Sequence, residues 1–150
     1  MKRNLILTVA ALMATSLTTL WAAKPSQSEI QQALAEVKTK IENRDYTISV
    51  KNATPLRGGS IATENTLLVV DGDQASSSLP YWGSGYNSFN NDEGMRFQGQ
   101  ISDYKVTEHK KNRLLATFKV TAQTGRIYQI KLEVFYNGST FISTTCTNLD

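Results

Sequence analysis

The 150-residue chain has one cysteine, one histidine and three prolines. A single Cys146 cannot form a disulfide within the chain. With only His109 beside it, it cannot supply a Cys/His zinc site within one chain either. Any Ser-His-Asp or Cys-His apparatus would have to run through that one imidazole. Phosphate-loop and dinucleotide fingerprints are both missing. There are no internal repeats and no long linkers. Charged residues make up 19% of the chain, below the usual quarter. Aromatics are spread throughout, which argues against wholesale disorder. The length allows one domain and leaves no room for a second large one.

The first segment reads as an address. Lys2 and Arg3 supply positive charge, Leu5 to Ala14 are mostly apolar, and small residues lead to Trp21-Ala22-Ala23. This is the pattern of a secretory signal peptide over residues 1–23, with Ala22 or Ala23 as the last residue removed. A membrane anchor is the competing reading. Thr8, Thr15, Ser16, Thr18 and Thr19 interrupt the run, which is short for a stable span. No cysteine lies near the junction, so no lipid anchor is expected there. The expected location is periplasmic or secreted. Without Lys2 and Arg3, 14 Lys+Arg face 13 Asp+Glu, a formal +1. The pI near 9.0 of the whole chain therefore misleads, and nucleic acid is not an expected partner. Lys110-Lys111-Asn112-Arg113 reads as a solvated turn. Cys146 reads as a buried small hydrophobe.

Residues 24–150 read as a single domain. Ser26-Gln27-Ser28-Glu29 is a capping-box pattern, and Ile30, Leu34, Val37 and Ile41 follow at helical spacing. A helix is expected over 27–43. From Tyr46 the period becomes two, with Tyr46, Ile48 and Val50 on one face. Leu56 to Ser60 reads as a loop. A strand over 66–70 turns at Asp71-Gly72 into a short polar strand over 74–79. Phe97, Gly99 and Ile101 share a face, and then Tyr104 and Val106 take over the alternation. That phase shift predicts a bulge near Ser102-Asp103. Leu114, Ala116, Phe118 and Val120 alternate cleanly, as do Tyr128, Ile130, Leu132, Val134 and Tyr136. Thr124-Gly125 and Asn137-Gly138 turn the chain, and a last strand covers 139–147. The pattern predicts a mainly β fold: a small antiparallel barrel of about eight strands with one N-terminal helix. A two-sheet β-sandwich gives the same strand pattern.

Catalytic signals are weak. His109 sits between Glu108 and Lys110 at an expected strand end. Asp71, Asp73, Asp92, Glu93 and Asp103 lie in or beside turns, where Asp bonds nearby backbone. Asn90 to Gly94 offers oxygens but lacks the spacing of a calcium loop. No metal site, cofactor or catalytic residue is expected. Asn52-Ala53-Thr54 and Asn137-Gly138-Ser139 match glycosylation acceptors. The informative stretch is Leu79-Pro80-Tyr81-Trp82-Gly83-Ser84-Gly85-Tyr86, with Phe89 after it. Aromatics in such a loop either plug one end of a barrel or stack on a ligand with a polar tip left over. Tyr81, Trp82, Tyr86 and Phe89 are the candidate ligand-binding residues.

Asp71-Gly72-Asp73, Leu79-Pro80-Tyr81-Trp82-Gly83, Tyr86 and Phe97 resemble the DUF4251 family, exported proteins of Bacteroides and relatives. The resemblance runs over about 46–143. Ser84 departs from the basic residue of the family pattern. Thr144 to Asn148 lacks the Arg and Tyr-x-Gly of its close. The resemblance implies a lipocalin-like barrel in the periplasm or on the outer surface of a Gram-negative cell, and it carries over no active site. Three functions remain in view. The first is a non-enzymatic binding module for a small apolar or amphipathic ligand. The second is an envelope protein that uses the same aromatics on a protein or glycan partner. The third, an enzyme, has the least support. Neither the oligomeric state nor the ligand is legible.

Overall fold

A computed structural model describes residues 24–54, 59–79, 95–109 and 112–147. Ser26 starts the helix as the sequence predicts. Its Oγ accepts the Glu29 N–H, while the Glu29 carboxylate accepts the Ser26 N–H at 2.6 Å. Two early donors are thereby satisfied. Helix α1 (Gln27–Glu42) ends one residue before the expected limit. Its apolar stripe buries Leu34 and Ile41, with Val37 packed against the same core. Lys38 reaches Glu108 at 2.6 Å and Gln31 reaches Asn112, which lays α1 against the sheet. The Glu108 carboxylate also holds the Lys38 pKa above its ordinary value.

Among the described residues nine strands follow: β1 (Asp45–Ser49), β2 (Asn52–Ala53), β3 (Ile61–Ala62), β4 (Leu67–Asp71), β5 (Gln74–Leu79), β6 (Met95–His109), β7 (Arg113–Ala122), β8 (Ile127–Phe135) and β9 (Thr140–Thr147). Seven form one antiparallel sheet in the order β1-β4-β5-β6-β7-β8-β9, curled into a half-barrel. The remaining pair, β2 and β3, is a two-residue ribbon beside the segment read as a loop. Two residues cannot establish a period, so this ribbon was not expected. Elsewhere the expected strands stand. Leu114, Ala116, Phe118 and Val120 face Val134, Leu132, Ile130 and Tyr128 in register, all buried. Each of the buried Leu, Ile, Val and Phe side chains contributes about 1.5–3 kcal/mol by leaving water.

Two devices set the curl. The first is a row of small residues. Ala75, Gly99 and Ala122 are cross-strand partners on β5, β6 and β7. A Cβ on Gly99 would stand 2.1 Å from the Thr121 carbonyl oxygen. The strands approach here as only glycine allows. The second device is the bulge. Ser102 pairs with Lys119 and Lys105 with Thr117, so Asp103 and Tyr104 together oppose Phe118. Asp103 takes φ +53°, and Lys119 holds its carboxylate at 2.7 Å. Before the bulge, odd residues face the core; after it, Tyr104 and Val106 do.

The turned-in Tyr104 stacks on Phe118 with ring centroids 5.3 Å apart. Its hydroxyl donates to the Ile41 carbonyl in the last turn of α1 at 2.6 Å, and the Arg44 N–H donates to the same oxygen at 3.2 Å. The Tyr46 hydroxyl lies 3.2 Å from it. Tyr104 has one proton, already given to Ile41, so Tyr46 donates the second bond. Arg44 closes the cluster from the helix end. It adopts φ +55°, where glycine is usual. Its carbonyl accepts the Gly72 N–H, its guanidinium pairs with Asp73 at 2.5 Å, and it lies 4.6 Å from the centre of the Tyr104 ring. These contacts offset a left-handed conformation that costs about 1–2 kcal/mol outside glycine.

The turns differ in detail from their dipeptide signals. Asp71 is the last residue of β4, and Gly72-Asp73 form the two-residue loop with Gly72 at φ +56°. At Asn137-Gly138 the loop has three residues. Gly138 donates to Phe135 and Phe135 to Ser139, with Gly138 at φ +81°. The β7–β8 turn repeats this geometry with Gly125 at φ +82°. A turn followed by a left-handed glycine is the usual three-residue hairpin.

Two outcomes follow from these packings. Gly99→Ala forces β6 and β7 apart and should lower stability by about 1–3 kcal/mol or more. Chemical denaturation reads this as a fall in midpoint, and an unchanged midpoint would refute the close approach. The second outcome concerns alkaline pH. Burial pushes the Tyr46 and Tyr104 phenols above their ordinary pKa, and the bond given to Tyr104 raises Tyr46 further. The bond from Tyr46 and the Arg44 charge oppose the rise at Tyr104. An unfolded phenol ionises near pH 10. Below that, both states hold their protons and the contribution is complete. Above it, the unfolded chain releases protons that the folded chain keeps, so stability falls as pH rises. Of six tyrosines, Tyr46 and Tyr104 should ionise only together with unfolding. Ultraviolet titration alongside circular dichroism checks this, and ionisation of all six in folded protein would contradict it.

Candidate functional site

The aromatic segment is rooted on a closed ladder. β5 and β6 stay in register from Gln74↔Gln100 to Leu79↔Met95. Residues 80–94 connect those last partners. Tyr81, Trp82, Tyr86 and Phe89 lie in this connection and outside the described residues. Asp92 and Glu93 share that position. What the structure gives is the ground beneath their root.

On the concave face next to that root, Phe97 and Tyr128 stack with centroids 4.4 Å apart at 23°. Both are buried, as are Ser77 and Leu79. Phe97 and Ser77 are ladder partners, and Tyr128 is the partner of Cys146 on β9. The β7–β8 turn and the end of β9 reach the same end of the half-barrel, since Gly99 pairs with Ala122 and Ile127 with Thr147. An aromatic floor thus lies at the end where the Tyr/Trp segment begins. The sequence placed Phe97 and Tyr128 on inward faces but did not join them. The available signal was an inward aromatic on each of two strands whose ends meet that segment.

The floor carries little reactive polarity. Ser77 Oγ accepts the Leu79 N–H at 3.2 Å, and buried Thr66 donates to the Glu64 carbonyl. Both are satisfied locally. Cys146 is half-buried rather than fully buried, and packs against the core. Burial pushes its thiol pKa up, against an opposing effect of Arg126 and a bond with Tyr128. A raised pKa leaves less thiolate at neutral pH.

Other candidates are dispersed. His109 is exposed at the end of β6, as expected. It borders a shallow cleft of about 30 Å³ with Arg113, Leu114, Leu115, Lys131 and Glu133, room for little more than a water. Glu133 there is held by Arg113 at 2.9 Å and Lys131 at 3.5 Å. That lining contains no Ser, Thr or Cys to act as a nucleophile. Asp73 and Asp103 are each paired with a cation. Among the described residues, no three His, Cys, Asp or Glu gather as metal ligands. No described helix is long and apolar enough to cross a membrane.

Cys146 should therefore react slowly with a neutral-pH alkylating reagent in folded protein, and several-fold faster once denatured. Mass spectrometry of timed samples measures both rates. Equal rates would contradict the half-buried, high-pKa thiol.

No curated protein matches the chain. Among solved structures, a crystal structure of a DUF4251 family protein from Bacteroides eggerthii is similar, with a TM-score of 0.57 and 16% identity. The match covers 80% of this chain and 78% of that one. At this identity the likeness speaks for the fold. The model of the DUF4251 family, a domain of unknown function, matches residues 28–149. It takes in the helix, the whole half-barrel and the aromatic segment, and the chain belongs to the DUF4251 family.

Proposed function

We propose that this is an exported envelope protein that binds a small apolar or amphipathic ligand without catalysis. Tyr81, Trp82, Tyr86 and Phe89 would line the mouth above the Phe97–Tyr128 floor. One observation carries the reading. The β5–β6 ladder is intact up to Leu79↔Met95, so a hairpin loop of about two to five residues would reverse the chain. The connection instead runs from 80 to 94 and holds four aromatics. This connection is several times as long as an ordinary hairpin loop, and binding residues concentrate on connections held by a rigid frame. Tyrosine and tryptophan combine a large apolar face with a polar tip, which suits an amphipathic guest. The charge and apolar pattern of residues 1–23 supports export.

Native mass spectrometry of protein purified from its own envelope extract tests the reading. The expected result is a reproducible mass excess that unfolding releases. Trp82→Ala should weaken retention by about tenfold, equivalent to about 1.4 kcal/mol. A bare mass, with no uptake from envelope lipid extract, would overturn the carrier reading. It would favour an interaction protein that uses the same aromatics on a protein or glycan.

A further inference from the structure

The two edges of the sheet are unlike. β1 has five residues, starts at Asp45, lies between Arg44 and Lys51, and has α1 packed beside it. Short length, charge and a covering helix are the usual protections of an edge strand. β9 has none of them. Its eight residues, Thr-Phe-Ile-Ser-Thr-Thr-Cys-Thr, include no charge, proline or glycine. Its register with β8 is unbroken from Ile127↔Thr147 to Val134↔Thr140. Among the described residues, no strand pairs with its other side.

The hydrogen-bond phase tells which groups that side presents. Phe135 donates to Ser139 across the turn. Bonded pairs recur at every second position. The odd residues of β9 therefore bond β8, and Ile142, Thr144 and Cys146 turn their N–H and C=O groups outward. The same even residues are half-buried on the concave side, where Ile142 and Cys146 meet the core.

We propose that β9 is a dimerisation edge, at which two copies of this chain pair antiparallel about Thr144 and join two half-barrels into one continuous sheet. Facing residues of an antiparallel pair point to the same side, which requires even to meet even. Centring on Thr144 meets that condition. Ile142 then faces the partner's Cys146, and its counterpart does the reverse. Each copy covers the half-exposed apolar side chains of the other. Charge selects the occupant. A charged peptide finds no opposite charge along this strand, whereas two uncharged copies meet without repulsion.

Light scattering and sedimentation of the mature chain test the proposal. The expected mass is twice that of the chain. Thr144→Pro deletes an outward N–H while leaving the β8 ladder its donors, and should halve the mass. Thr145→Lys, on the convex face, should leave the dimer intact. In the unaltered chain, amide exchange at Ile142, Thr144 and Cys146 should slow as concentration rises, which decides the matter even where Thr144→Pro does not fold. A monomer at every concentration would overturn the proposal, as would a folded Thr144→Pro dimer. Concentration-independent protection of those amides would also overturn it, because another part of the same chain would then cover the edge.

Discussion

One extra residue in β6 underlies much of the architecture. Asp103 adds a position that β7 does not match, and every side chain after it changes sides. Without it, Tyr104 and Val106 would face solvent. With it, Tyr104 supplies both an aromatic layer over Phe118 and a second donor to the Ile41 carbonyl, which also accepts the Arg44 N–H. The phase shift thus adds a contact at the C-terminal end of the helix to the Leu34 and Ile41 packing along its length. Arg44 and Tyr46 then complete the contact from the helix C-terminus and β1. The Ala75–Gly99–Ala122 row adds a second constraint on β6, a backbone approach to β7 that leaves no room for a Cβ.

The parts of this fold that were legible are those with local causes. The capping box of Ser26 and Glu29 joins residues three positions apart, and the structure contains both of its bonds. The bulge was legible because inward positions pass from Ile101 to Tyr104, a step that a regular strand does not take. Features decided by distant partners were not. Nothing near Arg44 announces a left-handed residue; Gly72, Asp73 and Tyr104 hold it there. Asn137-Gly138 signals a hairpin, but the ladder on either side sets the loop at three residues. The β2–β3 ribbon is too short for any pattern.

The candidate site divides in the same way. Its aromatic segment stands out in the sequence by composition, and the family match spans it. Its floor does not stand out, because Phe97 and Tyr128 are ordinary inward residues until β6 and β8 are brought to one end of the curl. The polar groups of that floor are satisfied among themselves. What the floor presents is aromatic surface from Phe97 and Tyr128.

The Leu79↔Met95 pair has a consequence for variation. It fixes the two ends of the connection between β5 and β6 at one ladder rung. With the ends of a connection held at one place, doubling its length costs only about 0.6 kcal/mol in closure entropy. The β5–β6 register therefore tolerates insertion between 79 and 95 far better than insertion within either strand, where one added residue would turn every later side chain to the other face.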